Sequence, residues 1–355
     1  MSDRKTKLDG AYKSLVIISI VTLAILYAGN LIMPILFSGL VSIVLVPFAD
    51  FFERKKLPRG LAALITVLGA TFLFFGIIVG LVVQSQEIVE EVPKLVEQKI
   101  ESIDLQELEI KSKSIVDYVE SHISTIEEML DQVKVVATSI LRKSLVGLKD
   151  AISFLFLCPI YIFFMLLCRE HIFRFVMAYH SKTDQSTNDD EGVQLIQRIK
   201  GSLFHYLKGL SLIMLTSGTL TFLGLYFIGL DYALFLGALT AVLTPIPYIG
   251  VTISAVIPIL LAFITKDSLW YVGGVLIVFA IVQFNENYIL TPRIMGKSIN
   301  INPLMIILGL IIFGTLTGVL GMILTVPIMA VSKVIIDHYP HLRPWKYLLE
   351  DEYSE

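Results

Sequence analysis

Two helix-breaking segments decide the fold of this chain: Thr244-Pro245-Ile246-Pro247-Tyr248-Ile249-Gly250 and Gly314-Thr315-Leu316-Thr317-Gly318-Val319-Leu320-Gly321. Each lies near the middle of a stretch without charged residues, 34 residues long at 232–265 and 35 residues long at 298–332. A continuous helix of that length would run roughly 50 Å, whereas the hydrocarbon core of a bilayer is about 30 Å thick. Two full spans would need about 40 residues plus a turn. Each stretch therefore predicts a re-entrant hairpin of two half-length helices, whose turn lies at membrane depth and lines a cavity.

The chemistry of the first break favours a turn over a kinked membrane helix, which is the alternative. Pro245 and Pro247 lack a backbone N–H and block continuation of the helix, and Gly250 allows the chain to turn tightly. A stretch too long for one span also favours the re-entrant turn. Backbone carbonyls and amides at such a turn could bind a polar solute or an ion, which indicates transport.

Composition assigns the chain to the integral membrane proteins. Hydrophobic residues make up 55% and charged residues 17% of the sequence, the mean hydropathy is +0.77 and the net charge is −3. Soluble proteins average about 25% charged residues, and a chain without a basic face is not expected to bind nucleic acid. We therefore expect an all-α, multi-pass protein embedded in the lipid bilayer.

The sequence contains no enzyme signature: no His-Glu-x-x-His, Walker glycine-lysine loop, Cys-x-x-Cys or Gly-x-Ser-x-Gly occurs. The six histidines show no metal-ligand pattern. Cys158 and Cys168 lie in one apolar segment and are predicted to be unpaired core residues, because a helix holds them too far apart to bridge. We therefore predict no enzyme activity, no metal and no cofactor, and transport that is passive or driven by a gradient.

Further stretches without charged residues predict about six membrane-crossing helices beside the two hairpins. The stretch at 14–49 is long enough for two short helices, with a break near Gly29-Asn30 and Pro34. The other stretches each predict one span, and they are 60–86, 151–168, 209–230 and 268–285.

Basic residues in short loops give the expected orientation, since such loops stay in the cytoplasm. Lys and Arg clusters at 4–13 and 54–59 place the N-terminus and the first loop inside. Residues 87–150, with 14 acidic and 8 basic residues, then lie outside. Arg293 and Lys297 fall inside only if both broken stretches are re-entrant and enter from opposite faces, and the C-terminus is cytoplasmic in either case.

The predicted spans divide the sequence into five regions. Apolar residues from Val116 to Ile140 repeat at alternating spacings of three and four, which predicts a helical seam within the insert at 87–150. This seam indicates either a subunit contact or an amphipathic helix folded onto its own domain or the membrane surface. The regions are the N-terminal transmembrane helices (1–86), an extracytoplasmic helical insert (87–150), a transmembrane helix with a cytoplasmic segment (151–208), a transport domain with both hairpins (209–335) and a cytoplasmic tail (336–355).

Glu286 is the one carboxylate near the end of a hydrophobic span that is flanked by amides, among them Asn287. An ionisable residue at a span is a candidate functional residue. The alternatives are an interfacial charge that ends the helix or a partner for Arg293, about two helical turns away. Asp231, at the outer end of its span, is expected to be an interfacial residue.

The second break has two interpretations. Gly314, Gly318 and Gly321 are spaced as a close helix-packing face. Thr315 and Thr317 could instead place hydroxyls at a turn that meets a substrate. The two interpretations are compatible, because a hairpin tip needs both small residues and close approach.

Between about residues 230 and 335 the chain resembles the autoinducer-2 exporter family of bacterial permease-like membrane proteins. One departure is Val251, where many members have proline after the glycine of the first motif. The motifs that carry the resemblance are Pro245-Ile246-Pro247-Tyr248-Ile249-Gly250, Glu286-Asn287-x-x-Leu290-x-Pro292-Arg293-Ile294-Met295-Gly296, Asn302-Pro303-Leu304, Gly318-x-x-Gly321 and Pro327.

The resemblance implies a homo-oligomer, pentameric in members of known architecture, in the bacterial cytoplasmic (inner) membrane. It also implies two helical hairpins that line the substrate site and an elevator-type movement. The substrate-binding residues carried over are those of the two tips and of the segment between them: Pro245, Pro247, Tyr248, Gly250, Glu286, Asn287, Arg293, Thr315, Thr317, Gly318 and Gly321.

Three functional hypotheses follow. The first is a secondary transporter that exports a small polar metabolite, with autoinducer-2 as the candidate substrate. The second is a sodium (cation)/proton antiporter in which Glu286 titrates, because some relatives look like such antiporters. The third is a membrane scaffold that binds a partner through the insert, although a scaffold has no need of broken helices in the membrane.

Overall fold

All regular structure is helical in the residues that the computed structural model describes, 29, 32–101, 148–183, 189–266, 268–295, 301–339 and 342–350. This confirms the predicted all-α class. A π-helical turn, Asn285–Leu290, separates the eighth and ninth helices. The helices are α1 (Ile32–Arg54), α2 (Arg59–Glu101), α3 (Leu148–Leu167), α4 (Arg169–Thr183), α5 (Asp189–Ile228), α6 (Ala233–Leu243), α7 (Ile249–Thr265), α8 (Leu269–Phe284), α9 (Thr291–Met295), α10 (Pro303–Thr317), α11 (Val319–His338) and α12 (Arg343–Leu349).

Five of the described helices are long and apolar enough to cross a membrane, and the number rises to six if a bent pair counts as one span. The bent pair joins Phe156–Leu167 to Arg169–Phe175 at an angle of 70°. The chain is therefore a multi-pass membrane protein. The five single spans lie at Ile32–Arg54, Arg59–Ile88, Gly192–Ile228, Leu269–Arg293 and Val319–His338.

The first predicted break separates α6 from α7, two apolar helices of 11 and 17 residues that pack against each other. The Ile246 N–H donates to the Leu243 carbonyl, and the Gly250 N–H donates to the Ile246 carbonyl, so the chain reverses within five residues. A Cβ atom at Gly250 would collide with the Leu243 carbonyl, and only glycine allows this approach. At the other end of this first hairpin, the Lys266 ammonium lies 3.1 Å from the Asp231 carboxylate.

The second predicted break separates α10 from α11, and Gly318 alone forms the turn with φ 69° and ψ −148°. The two arms of this second hairpin run antiparallel, because a Cβ atom at Gly309 would meet Met329 whereas one at Gly321 would meet the Phe313 carbonyl. Helix α11 is 20 residues long, which is the length of a full span and not the half-length helix that we expected.

The length of α11 has a local cause. The charge-free stretch ends before Lys333, but lysine is a good helix former and does not end the helix. The Lys333 ammonium lies 3.3 Å from the Glu350 carboxylate, just beyond α12. The Asn302 N–H also donates to the Leu349 carbonyl at 2.8 Å, so α12 holds the open end of the second hairpin.

The chain forms two compact units, and each contains one hairpin. Unit 1 comprises the described residues within 1–71, 154–212 and 290–355, and unit 2 comprises those within 72–153 and 213–289. Leu225, Leu236 and Val275 are buried in the core of unit 2, and Ala63 and Leu166 are buried in unit 1. The division into five regions in chain order stays a prediction.

Several predicted elements lie outside the described residues. They include the first helix of the 14–49 stretch, the apolar seam from Val116 to Ile140 and Lys297. Helix α2 does continue past the predicted end of its span at residue 86 and reaches Glu101.

We predict that Gly250→Ala and Gly321→Ala each destabilise the protein by about 1–3 kcal/mol, because the added methyl group must displace a carbonyl of the facing arm. Thermal unfolding of the purified protein in detergent, followed by intrinsic fluorescence, measures the effect.

Gly273→Ala is the matched control, since a Cβ atom there has open space within α8. It should be neutral or stabilise by about 0.5–1 kcal/mol through helix propensity. Equal midpoints for all three variants would contradict the close approach of the arms.

Candidate functional site

The predicted site residues fall at the two hairpin tips and in the π-helical turn. Pro245, Pro247 and Tyr248 lie in the break between α6 and α7, and Gly250 lies in the first turn of α7. Thr315 and Thr317 lie in the last turn of α10, Gly318 forms the second turn, and Gly321 lies in the first turn of α11. Glu286 and Asn287 are part of the π-helical turn, and Arg293 is an exposed residue of α9.

The first tip brings opposite partial charges together. The last carbonyl groups of α6 and the first N–H groups of α7 both lie at this tip. The negative end of the α6 dipole therefore meets the positive end of the α7 dipole. Because Pro245 has no N–H, the Ala241 carbonyl lacks the donor that a continuing helix would supply. Such a tip offers backbone acceptors and donors side by side, which suits a neutral polar solute better than a lone ion.

Tyr248 holds a strained backbone conformation at this tip, with φ 63° and ψ −52°. Tyr232 also has a positive φ, but its side chain packs against the buried core of unit 2. The Tyr248 side chain is 50% exposed, so core packing does not account for its strain. Strained non-glycine residues of this kind cluster at functional sites, which makes Tyr248 the strongest candidate at the first tip.

The second tip presents hydroxyl oxygens as acceptors. The Thr315 and Thr317 hydroxyls donate to the Ile312 and Phe313 carbonyls, both at 2.9 Å. Their protons are therefore engaged, and their lone pairs remain. Thr315 is exposed.

Close packing at Gly314 and Gly321 agrees with the interpretation of the glycines as a helix-packing face, whereas Gly318 lies in the turn and is not part of that face. A Cβ atom at Gly314 would meet Met322, and one at Gly321 would meet Thr317 as well as the Phe313 carbonyl. The side chains around Gly318 leave open space. The contact of Thr315 and Thr317 with a substrate stays a prediction.

Glu286 accepts a hydrogen bond from the Ser217 hydroxyl, with 3.3 Å between the two oxygens. Ser217 is 1% exposed, and Glu286 is half-buried. Asn287 donates to Gln283 at 3.5 Å on the exposed side of the same turn. Glu286 belongs to unit 2 and Arg293 to unit 1, and their pairing stays a prediction.

The Ser217–Glu286 contact lies at one end of a line of contacts between α5 and α8, which we call the Glu286 seam. Gly224 packs against Val278, and Ile228 packs against Gly274, so the two helices run antiparallel along this line. This register places Thr221 one turn from Ser217 on the same face. Thr221 is fully buried, and its hydroxyl has no hydrogen-bond partner in the described part of the chain.

Ser217 and Thr221 were not among the residues predicted from the sequence. Two small polar residues four positions apart in an apolar helix are a usable signal, because they share one face. The π-helical turn was also missed. Such turns occur often at functional sites, and this one carries Glu286.

Other predictions about side chains can be compared with the structure. Cys158 and Cys168 are both unpaired, as predicted. Within the described ranges, no group of three or more His, Cys, Asp or Glu side chains could hold a metal ion. The ion pair with Lys266 places Asp231 at the open end of the first hairpin and away from its tip.

The sequence is similar to known bacterial transport proteins over most of its length. It is 31% identical over 323 residues to the "Putative transport protein YueF" of Bacillus subtilis (strain 168), covering 87% of this chain and 84% of the relative. It is 26% identical over 326 residues to the "AI-2 transport protein TqsA" of Escherichia coli (strain K12), covering 90% of this chain and 89% of that one.

The family model described as "AI-2E family transporter" matches residues 15–341, a range that includes both hairpins and the π-helical turn. The resemblance inferred from the tip motifs is thereby confirmed. The chain belongs to the AI-2E family of membrane transporters.

Proposed function

We propose that this transporter is a secondary exporter of a small polar metabolite, which binds at the hairpin tips. The observation that carries the proposal is the strained, half-exposed Tyr248 at a tip where backbone donors and acceptors meet. Autoinducer-2 is the candidate substrate, because a relative of 26% identity bears the name "AI-2 transport protein". It is a small polar diol, which matches neutral hydrogen-bonding groups.

In the proposed mechanism, polar groups at the tips replace the hydrogen bonds that water makes to the solute. The first tip supplies backbone groups and the Tyr248 ring and hydroxyl. The second tip offers the lone pairs of Thr315 and Thr317, and the idea that they meet the same solute enters the proposal from the family resemblance alone. Non-helical backbone within a membrane is tolerated where it lines a polar cavity, and the breaks provide such backbone. The elevator-type movement of the hairpins and the homopentameric assembly enter the proposal from the family resemblance alone.

A second candidate function is sodium (cation)/proton antiport centred on Glu286. The observation that favours it is the half-buried carboxylate bound to Ser217 in a helix long enough to span the membrane. The buried Thr221 hydroxyl, without a partner in the described part of the chain, adds a further oxygen one turn along the seam. Hard cations bind through oxygen ligands such as carboxylates and hydroxyls, and sodium is a cation of this kind.

For the exporter, we predict that Tyr248→Gly lowers autoinducer-2 efflux from proteoliposomes about tenfold, the equivalent of about 1.4 kcal/mol of lost solute interaction. Folding should be retained, since relief of about 1–2 kcal/mol of strain offsets the flexibility that glycine adds to the unfolded chain. The unfolding midpoint checks this directly.

Tyr232→Gly is the matched control, because it relieves the same kind of strain far from the tip but removes core packing. It should lower stability while the efflux per folded molecule stays at the wild-type level. Undiminished efflux in Tyr248→Gly would contradict solute binding at the first tip.

For the antiporter, we predict that Glu286→Gln abolishes sodium-driven proton flux in proteoliposomes, because an amide cannot exchange a proton for a cation. Asp231→Asn is the control, since that carboxylate is paired with Lys266 and should not contribute. Undiminished proton flux in Glu286→Gln rules out the carboxylate mechanism. The exporter proposal instead expects metabolite efflux and no sodium-driven proton flux in the wild-type protein.

A further inference from the structure

A groove of about 530 Å³ lies in unit 1 along α1 and α5. Its volume is within the range of roughly 300–1,000 Å³ that is typical of small-molecule sites. The groove is not part of the hairpin tips and has no role in the transport function proposed above. The residues that matter for its chemistry are Ile43, Val46, Phe51, Arg54, Lys200 and Phe204.

Polarity changes along the groove in one direction. On α1 the lining begins with Ile43 and Val46, continues to Phe51 and ends with Arg54, a distance of roughly 16 Å at about 1.5 Å per residue. On α5, Phe204 lines the groove together with Lys200, one turn away. Since Arg54 is the last residue of a membrane-spanning helix, the basic end lies at the membrane surface and the apolar end lies within the bilayer.

The basic end carries a net positive charge. Asp50 also lines the groove, and the Arg169 guanidinium lies 2.8 Å from both the Asp50 and the Glu53 carboxylates. This cluster keeps one negative charge, which is fewer than the positive charges of Arg54, Lys200 and Lys55. No carboxylate pairs with Arg54 or Lys200 among the residues that the structure describes. The Lys55 ammonium lies 4.4 Å from the centre of the Phe51 ring and adds a third cation nearby.

We infer that this groove binds an anionic phospholipid, with an acyl chain along Ile43, Val46 and Phe204 and the headgroup phosphate at Arg54 and Lys200. Charge complementarity favours an anionic over a zwitterionic headgroup, since two cations have no protein partner to neutralise them in the described chain. The apolar-to-basic gradient matches the order of chain and headgroup in a bilayer leaflet. A soluble anion would use only the basic end and leave the apolar end empty.

Native mass spectrometry of the full chain, titrated with phosphatidylglycerol or phosphatidylcholine, tests the inference. The wild-type protein should retain phosphatidylglycerol in preference to phosphatidylcholine. Arg54→Gln and Lys200→Gln should each weaken phosphatidylglycerol binding about fivefold, which is the conversion of about 1 kcal/mol for each basic residue near the membrane surface. Equal binding of the two lipids by the wild-type protein would overturn the inference.

Arg198→Gln is the matched control, because Arg198 is an exposed residue of α5 two positions from Lys200 and does not line the groove. It should leave the lipid preference unchanged, and an effect as large as that of Lys200→Gln would overturn a specific site. Val46→Trp tests the acyl chain, since the larger side chain fills the apolar end while every charge remains. Unchanged lipid binding in Val46→Trp would show that only the headgroup binds and would overturn the inference.

A second copy of the chain is the competing occupant. A photoreactive amino acid in place of Phe51, which is 53% exposed at the groove, should cross-link to phospholipid in membranes. Cross-linking to a second protein chain instead would identify the groove as a subunit interface and contradict the lipid site.

Discussion

The close approach of two helix backbones at each hairpin tip is the constraint on which the rest of the structure depends. At the first tip Gly250 faces the Leu243 carbonyl, and at the second Gly321 faces the Phe313 carbonyl. A hydrocarbon environment cannot hydrogen-bond the backbone groups that a helix break exposes, so the facing arm and the turn must satisfy them or they must line a polar cavity. A single methyl group at either glycine would separate the arms and expose these groups.

The two hairpins have different turns at their helix breaks. The first uses two prolines and a strained tyrosine, with α6 and α7 shorter than full spans, and an ion pair joins its open end. The second uses one glycine with a positive φ, and α12 holds its open end through Asn302 and Lys333. These differences give the tips different chemistry, with backbone donors and acceptors at the first and threonine lone pairs at the second.

The sequence predicted the helix breaks well because their causes are local. Pro245 and Pro247, only two positions apart, and Gly318, with its positive φ, favour a break through their own covalent structure. A single proline is not enough, since Pro258 and Pro327 lie inside α7 and α11. Helix lengths were harder to predict, because charged residues end a hydrophobic stretch without ending the helix. Lys200 therefore lies inside the 40-residue α5, and Lys333 lies inside α11.

The contacts of the Glu286 seam could not be predicted in the same way. Whether Ser217 meets Glu286 depends on the register of two helices far apart in sequence, which is fixed by contacts such as Gly224 with Val278. The strain at Tyr248 was equally hidden, because a tyrosine ordinarily avoids positive φ and only the geometry of the turn imposes it. The candidate functional features at Tyr248 and Glu286 are thus ones that tertiary packing creates from ordinary residues.

Under the proposed function, each hairpin tip faces water within the membrane. Single cysteines at Thr252 and Thr315, both exposed at the tips, can be tested with a charged, membrane-impermeant thiol reagent after Cys158 and Cys168 are replaced by alanine. A cysteine at Ile277, which is 61% exposed on the apolar surface of α8, is the lipid-facing control. We predict rapid labelling at both tips and none at position 277. If the cysteines at both tips were as unreactive as the one at position 277, water would not reach the tips and the proposed function would be contradicted.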